Sequence, residues 1–399
     1  MKSLSVSLKL SLLVSIAAIT SVTLVATFAT LSSRSAFLAS ANKQMVAAQE
    51  SLSRQLVAQM SSYSDEIRFF AETASVKDAL VAFTQSYAEL EAQTGNAQAT
   101  LQRLYASGSQ YPIGERQFLF NANDGSAYSD THEAWHGYFD LIVERSELYD
   151  IFLLNTEGEL VYTWAKEADY ATNLVTGQWA QSGLGIVTQA AMKIPHGAEQ
   201  GVATQGFAPY APSSGALASF FATPVFDDNG QRIGVLATQA SLALFDEILN
   251  TDIGIDADTR VYLVNTDRQI VSAQGLENAS DQVDPDFWAD QPIWQTLNSA
   301  TGSGALLIDI LGIKMALGYS LIEAQGAKYF TLVTAPLSDL MLPARNIARN
   351  SALIGLLVAA LVGVIGVYFS RAQIRPLALV SSQIDKMADD RDLSERITV

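Results

Sequence analysis

Two long apolar runs lie near the ends of the chain. Residues 10–31 and residues 351–370 contain no charged side chain. A helix of about 20 residues spans ~30 Å, which is the thickness of the hydrocarbon core of a bilayer. The pattern predicts two transmembrane helices, with residues 1–9 before the first and residues 371–399 after the second. A buried core helix is the alternative for each run. A signal peptide is a further alternative for the first, although its apolar stretch usually has only ~7–15 residues.

The middle of the chain begins with a helical pattern. Apolar residues recur there at steps of three and four, which places them on one face of a long helix that continues from the first apolar run. The stripe consists of Leu52, Leu56, Met60, Tyr63, Ile67, Phe70 and Ala74. A second helix is predicted over 76–90, and turn-forming residues at 94–98 interrupt it. Periodicity does not distinguish a core-facing stripe from a dimer contact.

From Tyr149 onward the period becomes that of strands, and one hairpin pattern occurs twice. IFLLNTEGELVY at 151–162 and VYLVNTDRQIVS at 261–272 both place four apolar or aromatic residues before Asn-Thr and an acidic turn residue. In the first copy, strands are predicted at 150–154, 159–164, 217–226 and 231–239, with a helix at 242–249. In the second copy, strands are predicted at 261–273, 306–310, 314–321 and 328–334, with a helix at 286–297. Two α/β units in series are therefore expected.

The charge is distributed unevenly between these segments. The chain carries a net charge of -17, but 36 of its 41 acidic residues and only 16 of its 24 basic residues lie after Arg34 and before the second apolar run. An acidic segment of this kind argues against nucleic-acid binding, which requires a basic face. The size and acidity of this segment favour a location outside the cell membrane, on the side away from the cytoplasm. The absence of cysteine excludes disulfides and thiolate metal sites.

Two tandem units of this order resemble the double Cache sensor domain of bacterial methyl-accepting chemotaxis proteins and sensor kinases. The stretches YPIGER, YDIFLLNTEGELVYTWAKEADYATNL and PYAPSSGALASFFATPVFDDNGQRIGVLA carry the resemblance, which covers residues 35–345. It implies an α+β fold with two PAS-like modules built on antiparallel sheets. A helical stalk and lid would occupy about 35–148, a membrane-distal module with the ligand pocket 149–250, and a membrane-proximal module 251–345.

The tail resembles the first half of a HAMP signalling module. In IRPLALVSSQIDKMADDRDLSERI, a proline suits the first turn of a helix, where its missing N–H is not needed. The residues Leu377, Val380, Ile384 and Met387 step by three, four and three, which is a seam suited to a parallel helical bundle. Any amphipathic helix next to a membrane is the alternative. Since a HAMP module has a second helix, we expect a further segment after Val399.

Candidate ligand-binding residues lie close together after the first hairpin. Pockets combine an apolar wall with a few polar groups, and the segment 164–173 supplies both kinds. Its candidates are Trp164, Lys166, Asp169, Tyr170 and Asn173. The resemblance places Tyr210, Phe221 and Gln239 in the same cavity. A solvated loop whose aromatic residues cap the core is the alternative.

The resemblance does not extend to the pattern of amino-acid receptors. Cache receptors for amino acids hold the ligand carboxylate with an Arg-x-Trp-Tyr run and its amine with an aspartate on a late strand. This chain has no such run, and Gln239 stands where that aspartate is expected. An α-amino acid is therefore in doubt as the ligand. The working hypothesis is that Lys166 holds a carboxylate and Asp169 an amine.

His132 and His136 are four residues apart, so they would share one face of a helix. Zinc usually takes three or four protein ligands, and the sequence does not supply the others. We therefore expect structural histidines and no metal. The resemblance places this helix beside the pocket, which makes His136 a further ligand-binding candidate.

These patterns favour a receptor over an enzyme. The sequence has no Gly-x-Ser-x-Gly elbow and no phosphate-binding loop, and we expect no cofactor. We expect a homodimeric chemoreceptor in the bacterial inner membrane. Its sensor domain would be periplasmic, its ligand a small molecule, and its output a cytoplasmic kinase or adaptor. The alternative is the sensor part of a histidine kinase or nucleotide cyclase whose catalytic domain lies beyond Val399. A membrane-anchored binding module without cytoplasmic output is a third possibility.

Overall fold

A computed structural model of the chain describes residues 6–251, 259–273, 293–299, 302–310, 312–324 and 326–369, together with residues 372 and 380. The chain forms two compact units. The first, here called the helix-pair unit, combines residues 1–43 and 336–399. The second, here called the sheet unit, is Gln44–Ala335.

Helix α1 extends over Val6–Glu72. Along its later part, Leu52, Leu56, Met60, Tyr63 and Ile67 are buried, which confirms the predicted stripe. The stripe ends earlier than expected, because the last buried position is Ala71 and Ala74 already begins helix α2, Ala74–Thr94. Thr73 causes this break by accepting a hydrogen bond from the backbone N–H of Val76, as an N-cap does. Two further helices complete this region, α3 over Ala97–Leu101 and α4 over Ala127–Arg145.

The first sheet of the sheet unit has five antiparallel strands in the order β2-β1-β5-β4-β3. The strands are β1 Leu148–Leu154, β2 Leu160–Thr163, β3 Ala203–Tyr210, β4 Ala216–Phe226 and β5 Arg232–Ala240. One face packs on α5, Gly183–Ala191, and the other on α2 and α4. The four predicted strands are confirmed, and β3 is an additional edge strand that the sequence pattern did not predict.

The second sheet repeats this arrangement in the order β7-β6-β10-β9-β8. Its strands are β6 Arg260–Asn265, β7 Ile270–Ala273, β8 Ser303–Ile310, β9 Ile313–Ala324 and β10 Ala327–Pro336. Helix α6, Leu242–Leu249, packs on its first hairpin, and helix α7, Ile293–Asn298, contributes Trp294 to its core. On the face that α6 covers, opposite Trp294, Gln49 of α1 donates to the carbonyl of Gly318 at 2.9 Å and accepts from Thr331 at 2.6 Å.

The two repeated hairpins close in the same way. In the first, Oδ1 of Asn155 accepts hydrogen bonds from the backbone N–H groups of Glu157 and Glu159, at 3.1 and 2.9 Å. In the second, Oδ1 of Asn265 accepts from the backbone N–H of Gln269 at 2.8 Å. An asparagine side chain that bonds nearby backbone groups fixes a turn. The Asn-Thr pair of the sequence repeat therefore has a structural role in both copies.

The helix-pair unit contains the two predicted membrane segments. By length and composition, α1 and the final helix α9, Leu342–Phe369, are apolar enough to cross a bilayer, and none of the described residues in their most apolar windows is buried. A four-residue helix α8, Leu337–Leu340, precedes α9. Large exposed side chains such as Leu24 and Leu357, at 66% and 71% exposure, suit contact with lipid. Of the predicted signalling seam, Leu377, Ile384 and Met387 lie outside the described residues.

Candidate ligand site of the first sheet

The candidate ligand site lies at one end of the first sheet, on the face that carries α5. Strand β1 contributes Asp150, β3 contributes Tyr210 and β5 contributes Gln239. The segment after β2 contributes Asp169 to this face and Lys166 to the side of the loop that faces α4. All five side chains are at least 97% buried. Such burial of charged groups is rare unless they are paired or functional.

Asp150 determines how the segment after β2 leaves the sheet. Its Oδ1 accepts hydrogen bonds from the backbone N–H groups of Trp164 and Ala165, at 2.9 and 3.0 Å. Its Oδ2 accepts from the hydroxyl of Thr163 at 2.5 Å. Burial raises the pKa of Asp150 well above its ordinary value, and the hydrogen bond from Thr163 acts in the opposite direction. With its oxygens engaged by the protein, Asp150 positions the loop instead of offering a binding group.

Asp169, in contrast, has one oxygen that the protein does not use. Oδ2 accepts a hydrogen bond from the hydroxyl of Tyr210 at 2.6 Å, whereas Oδ1 receives no donor from the described part of the chain. Burial raises the pKa of Asp169 from 3.8 to about 7, against the lowering effect of the Tyr210 hydrogen bond. A buried acceptor without a donor is costly. The free oxygen therefore marks a position where a bound donor would be stabilising.

Gln239 supplies a second acceptor of this kind. It is the cross-strand partner of Asp150 on β1 and of Phe220 on β4. Paired positions of neighbouring strands point to the same face of a sheet. The ring of Tyr210 packs on Phe220 at 4.7 Å between centroids. This contact connects Tyr210 and its partner Asp169 to the row formed by Asp150, Gln239 and Phe220. Oε1 of Gln239 is buried and, among the described residues, has no donor.

Lys166 lies on the opposite side of the loop, against α4. Its Nζ donates to the carbonyl of Trp164 at 3.2 Å and lies 3.4 Å from Nε2 of His136. Burial lowers the pKa of Lys166 to about 7, although the charges of Asp150 and Asp140 favour the protonated form. The residue also has a left-handed backbone conformation, with φ at 54°. Its amine is therefore held in place by the fold and is easily deprotonated.

Glu167 completes the polar groups of the loop and is already paired. One carboxylate oxygen accepts a hydrogen bond from the hydroxyl of Tyr149 at 2.8 Å, and the other accepts from the hydroxyl of Ser213. Arg116 donates to the carbonyl of Lys166 at 2.9 Å and fixes the same loop from the helical side. These contacts stabilise the segment that presents Asp169.

Four of the remaining candidates make contacts that are satisfied within the protein. Trp164 donates through Nε1 to Asp140 at 2.8 Å, and the Tyr170 hydroxyl lies 2.7 Å from that of Tyr128, which itself donates to a backbone carbonyl. Asn173 caps a turn by accepting from the backbone N–H groups of Val175 and Thr176. His136 is bonded on both ring nitrogens, to Tyr162 and to the carbonyl of Gln117. None of these four side chains offers a free polar atom to the group, and Asn173 lies away from it, bridged to Glu159 at the turn end of the first hairpin.

Phe221 is separated from the predicted cavity. Its ring stacks on Tyr63 of α1, with 5.7 Å between centroids. Its neighbour Phe220 points to the opposite face and packs on Tyr210 and Phe152. Since successive side chains of a strand alternate between faces, Phe220 and not Phe221 forms part of the wall of the candidate site.

The two histidines of α4 belong to an aromatic cluster. Their rings stack with 4.5 Å between centroids, and Nδ1 of His132 donates to the carbonyl of Phe120 at 2.6 Å. Burial lowers the pKa of His132 well below its ordinary value, so the ring is neutral. Its Nε2 receives no donor from the described residues. The pair packs the helix against the sheet.

Asp150, Arg116 and Ser213 are the site residues that sequence reasoning overlooked, whereas Glu167 lies within the predicted segment 164–173 but was not among its ligand-binding candidates. Asp150 carried a usable signal, since an acidic residue inside the apolar run YDIFLL has to be buried with partners if the run is a strand. Arg116 and Ser213 carried none, because their roles depend on contacts to the loop across more than 40 residues of sequence.

Comparisons with known proteins give similarity at the level of solved structures alone. No family model matches the sequence, and no curated protein matches it. The chain is similar to the sensor domain of the V. cholerae histidine kinase DctB, with 12% identity, a TM-score of 0.37, and coverage of 73% of this chain and 95% of that one. It is also similar to the ligand-binding domain of the Campylobacter jejuni chemoreceptor Tlp3 in complex with 4-methylisoleucine, with 13% identity, a TM-score of 0.37, and coverage of 69% and 97%.

A third similar structure is an extracellular ligand binding receptor from Desulfohalobium retbaense, with 15% identity and a TM-score of 0.35. The match covers 63% of this chain and spans only 39% of the length of that receptor. Structural similarity at this level does not establish a function, so the function of this chain has to be inferred from its own residues.

Proposed function

We propose that the chain is a membrane receptor that binds a small molecule at the candidate ligand site of the first sheet. The observation that carries this proposal is the pair of buried acceptors, Oδ1 of Asp169 and Oε1 of Gln239, which receive no donor from the described residues. Both lie in one polar group at the end of the first sheet, where the carboxylate oxygens of Asp150 and Glu167 are already hydrogen-bonded within the protein. A ligand that donates hydrogen bonds to both would remove their desolvation cost.

The chemistry of the two acceptors favours a ligand with an ammonium or similar donor group. A carboxylate and an amide oxygen accept hydrogen bonds, and an ionised Asp169 adds charge attraction to a cation. The amine of Lys166, which has donor capacity beyond its bond to Trp164, suits an anionic or carbonyl group at the other end of the ligand. Because the pKa of Asp169 is raised to about 7, a cationic ligand should bind more tightly above this pH.

The wider proposal follows the sequence resemblance. The sheet unit would be a double Cache sensor domain, with the first sheet membrane-distal and periplasmic. The two apolar helices would anchor a homodimer in a bacterial inner membrane, and a HAMP module would begin after the second helix. Ligand binding would favour one packing of the dimer, and the output would be a cytoplasmic chemotaxis kinase or adaptor. Since a ligand shifts such an equilibrium only by its differential affinity for the two states, the ligand must contact groups that differ between them.

A thermal-shift screen tests the site. The full chain in lipid nanodiscs would be melted with an array of small metabolites in three sets: amines, carboxylates, and molecules that carry both groups. We expect stabilisation by amine-bearing compounds. In Asp169→Asn and Gln239→Met, the stabilisation by a hit should fall or disappear, because each change removes one of the two acceptors.

Asp78→Asn is the matched control, since it also removes one carboxylate from the sheet unit, at an exposed position of α2. The control should respond to the hit like the unmodified chain. A hit that stabilises Asp169→Asn and Gln239→Met as strongly as the unmodified chain would show that the ligand binds elsewhere.

A further inference from the structure

Strand β3 contains a local irregularity that points toward the second sheet. It is the edge strand of the first sheet, and its pairing with β4 shifts register between Gln205 and Ala208. Gly206 and Phe207 occupy this bulge. A bulge leaves backbone groups outside the ladder, and an edge strand has one row of unpaired N–H and C=O groups. The backbone polar groups of Gly206 and Phe207 therefore need hydrogen-bond partners outside the first sheet.

The second sheet satisfies both backbone polar groups of Phe207. The N–H of Phe207 donates to the hydroxyl of Tyr329 on β10 at 3.0 Å. The carbonyl of Phe207 accepts from Nδ2 of Asn265 at the end of β6, at 3.2 Å. We call these two hydrogen bonds the inter-sheet contact. Nδ2 of Asn265 also donates to Oε1 of Gln269 in its own turn at 3.0 Å, as Nδ2 of Asn155 does to Glu159 in the first hairpin, so the bond to Phe207 is the additional one.

The surrounding packing makes the inter-sheet contact tight. The ring of Phe207 is 2% exposed and packs edge-on against Phe245 of α6 at 5.0 Å. At Gly206 a Cβ atom would lie 2.7 Å from the hydroxyl oxygen of Tyr329 and 3.3 Å from the Cβ of Ala327. A glycine fits at position 206 without displacing Tyr329 or Ala327, whereas any larger residue would collide with the hydroxyl of Tyr329. The bulge of β3 is thus fitted to β10 by shape as well as by hydrogen bonds.

The same strand holds the candidate ligand site. Tyr210, the last residue of β3, donates to Asp169, and it lies three residues from Phe207. At about 3.3 Å per residue, only ~10 Å of strand separates the two contacts. Strand β3 is therefore bonded to the loop of the ligand site at one end and to the second sheet at its bulge. A shift of Tyr210 along or across the strand has to be absorbed within three residues or passed to Tyr329 and Asn265.

We propose that β3 couples the candidate ligand site to the second sheet, with Tyr329 and Asn265 as the residues that receive the change. The inference rests on the proposed function, because Asp169 belongs to the proposed site. When a ligand donor binds the free Oδ1 of Asp169, the carboxylate reorients, the hydroxyl of Tyr210 bonded to Oδ2 realigns with it, and the end of β3 shifts. Tyr329 lies on β10, whose last residue Pro336 leads directly into α8 and α9. Interfaces of this kind respond by changing between discrete packings.

Hydrogen exchange on the full chain in lipid nanodiscs tests the coupling without a known ligand. Tyr329→Phe removes the hydroxyl that accepts from Phe207 and keeps the ring. We expect about fivefold faster amide exchange in the loop 164–173 of the first sheet, the effect of one lost hydrogen bond on local opening. In the reverse direction, Tyr210→Phe should speed exchange in 260–265 and 327–336 by a similar factor.

The control is Tyr319→Phe, which makes the same change on β9 of the second sheet, away from the inter-sheet contact. It should leave exchange in 164–173 unchanged. The segment 74–82 of α2, which packs on the opposite face of the first sheet, is the internal reference and should not change in any variant. Faster exchange confined to the sheet that carries the substitution would overturn the coupling. Equal acceleration in 164–173 and 74–82 would overturn it as well, since it would show only general loosening. The thermal-shift screen measures ligand binding independently of hydrogen exchange. A failure of the proposed ligand site can therefore be distinguished from a failure of the proposed coupling through β3.

Discussion

The amine of Lys166 lies 3.4 Å from Nε2 of His136, and both atoms are hydrogen-bond donors. Nε2 is 2.6 Å from the carbonyl of Gln117, and a carbonyl can only accept, so this nitrogen carries the proton. The hydroxyl of Tyr162 therefore donates to Nδ1 at 2.7 Å. Burial and the nearby Lys166 charge lower the pKa of His136 to about 3. The lysine amine thus faces a neutral ring that offers it no lone pair, and its charge is poorly stabilised.

Replacing Lys166 by methionine should stabilise the sheet unit in a pH-dependent way. The pKa of Lys166 is lowered from 10.5 to about 7 in the folded chain, so the unfolded chain binds more protons between these values. The stability of the unmodified chain should therefore rise with pH through this range. Lys166→Met removes the penalty. The gain should be on the order of 4 kcal/mol at about pH 6 and much smaller at about pH 9.5. Melting curves by near-ultraviolet circular dichroism at both pH values measure this.

Lys193→Met is the control, because Lys193 is an exposed lysine of the same unit. Its effect should be small and equal at both pH values. A gain for Lys166→Met that does not depend on pH would contradict the assignment of a poorly stabilised charge.

Asp169→Asn should show the opposite pH dependence. Since burial raises the pKa of Asp169 from 3.8 to about 7, the folded chain binds more protons between these values and loses stability as pH rises through them. The asparagine can still accept from Tyr210 but has no charge to bury. We expect a gain in stability on the order of 3 kcal/mol at about pH 8 and almost none at about pH 4. The same melting curves, with Asp78→Asn as the exposed control, would contradict this if the larger gain appeared at the lower pH.

The contrast between the two hairpins and β3 shows how far the sequence determined the fold. The Asn-Thr pairs at 155 and 265 were predicted as turns because an asparagine followed by an acidic residue, between strand formers, has few other uses. Strand β3, with the sequence ATQGFAPY, has a glycine and a proline and no clear alternation. Its bulge breaks the period of two, and Pro209 is tolerated because the strand lies at an edge. The burial of Phe207 comes from α6 and the second sheet, and a pattern of neighbouring residues cannot predict such distant contacts.

The candidate site was predicted in part for the same reason. Lys166, Asp169 and Gln239 were recognisable as polar residues beside strands, and the structure brings Asp169, Gln239 and Tyr210 to one face. The choice between Phe220 and Phe221 was not accessible from the sequence, because the two rings are adjacent and only the strand register decides which one faces the site. The free oxygen of Asp169 depends on where Tyr210 lies, 41 residues further along the chain.

Single-cysteine labelling should establish the topology of the chain. The sequence has no cysteine, so each introduced thiol is unique. Ser62→Cys is at an exposed position of the sheet unit, and Ser3→Cys lies before the first apolar run. In intact cells, a membrane-impermeant maleimide should label Ser62→Cys, and it should label Ser3→Cys only after permeabilisation. The unmodified chain is the control for background. Labelling of both positions from the outside would contradict a membrane span between them.

Gly206→Ala should separate β3 from β10. The added Cβ would lie 2.7 Å from the hydroxyl oxygen of Tyr329, so either the Tyr329 side chain must shift and lose its bond from Phe207 or one of the two strands must move. We expect destabilisation of about 1–3 kcal/mol, the usual cost of overpacking. The change is measured by melting curves of the full chain in nanodiscs. Gly302→Ala is the matched control, because Gly302 is exposed and an added Cβ there meets no atom within 4 Å.

The combination of Gly206→Ala with Tyr329→Phe isolates the cause of this cost. Tyr329→Phe alone removes the acceptor of the Phe207 N–H and should cost about 1 kcal/mol. In that background the nearest remaining atoms to an alanine Cβ are 3.3 Å away, so most of the steric cost disappears. The double variant should therefore be more stable than the sum of the two single effects, by about 1 kcal/mol or more. Additive effects would mean that Gly206 is required for a reason other than the approach of Tyr329, and the fitted inter-sheet contact would have to be abandoned.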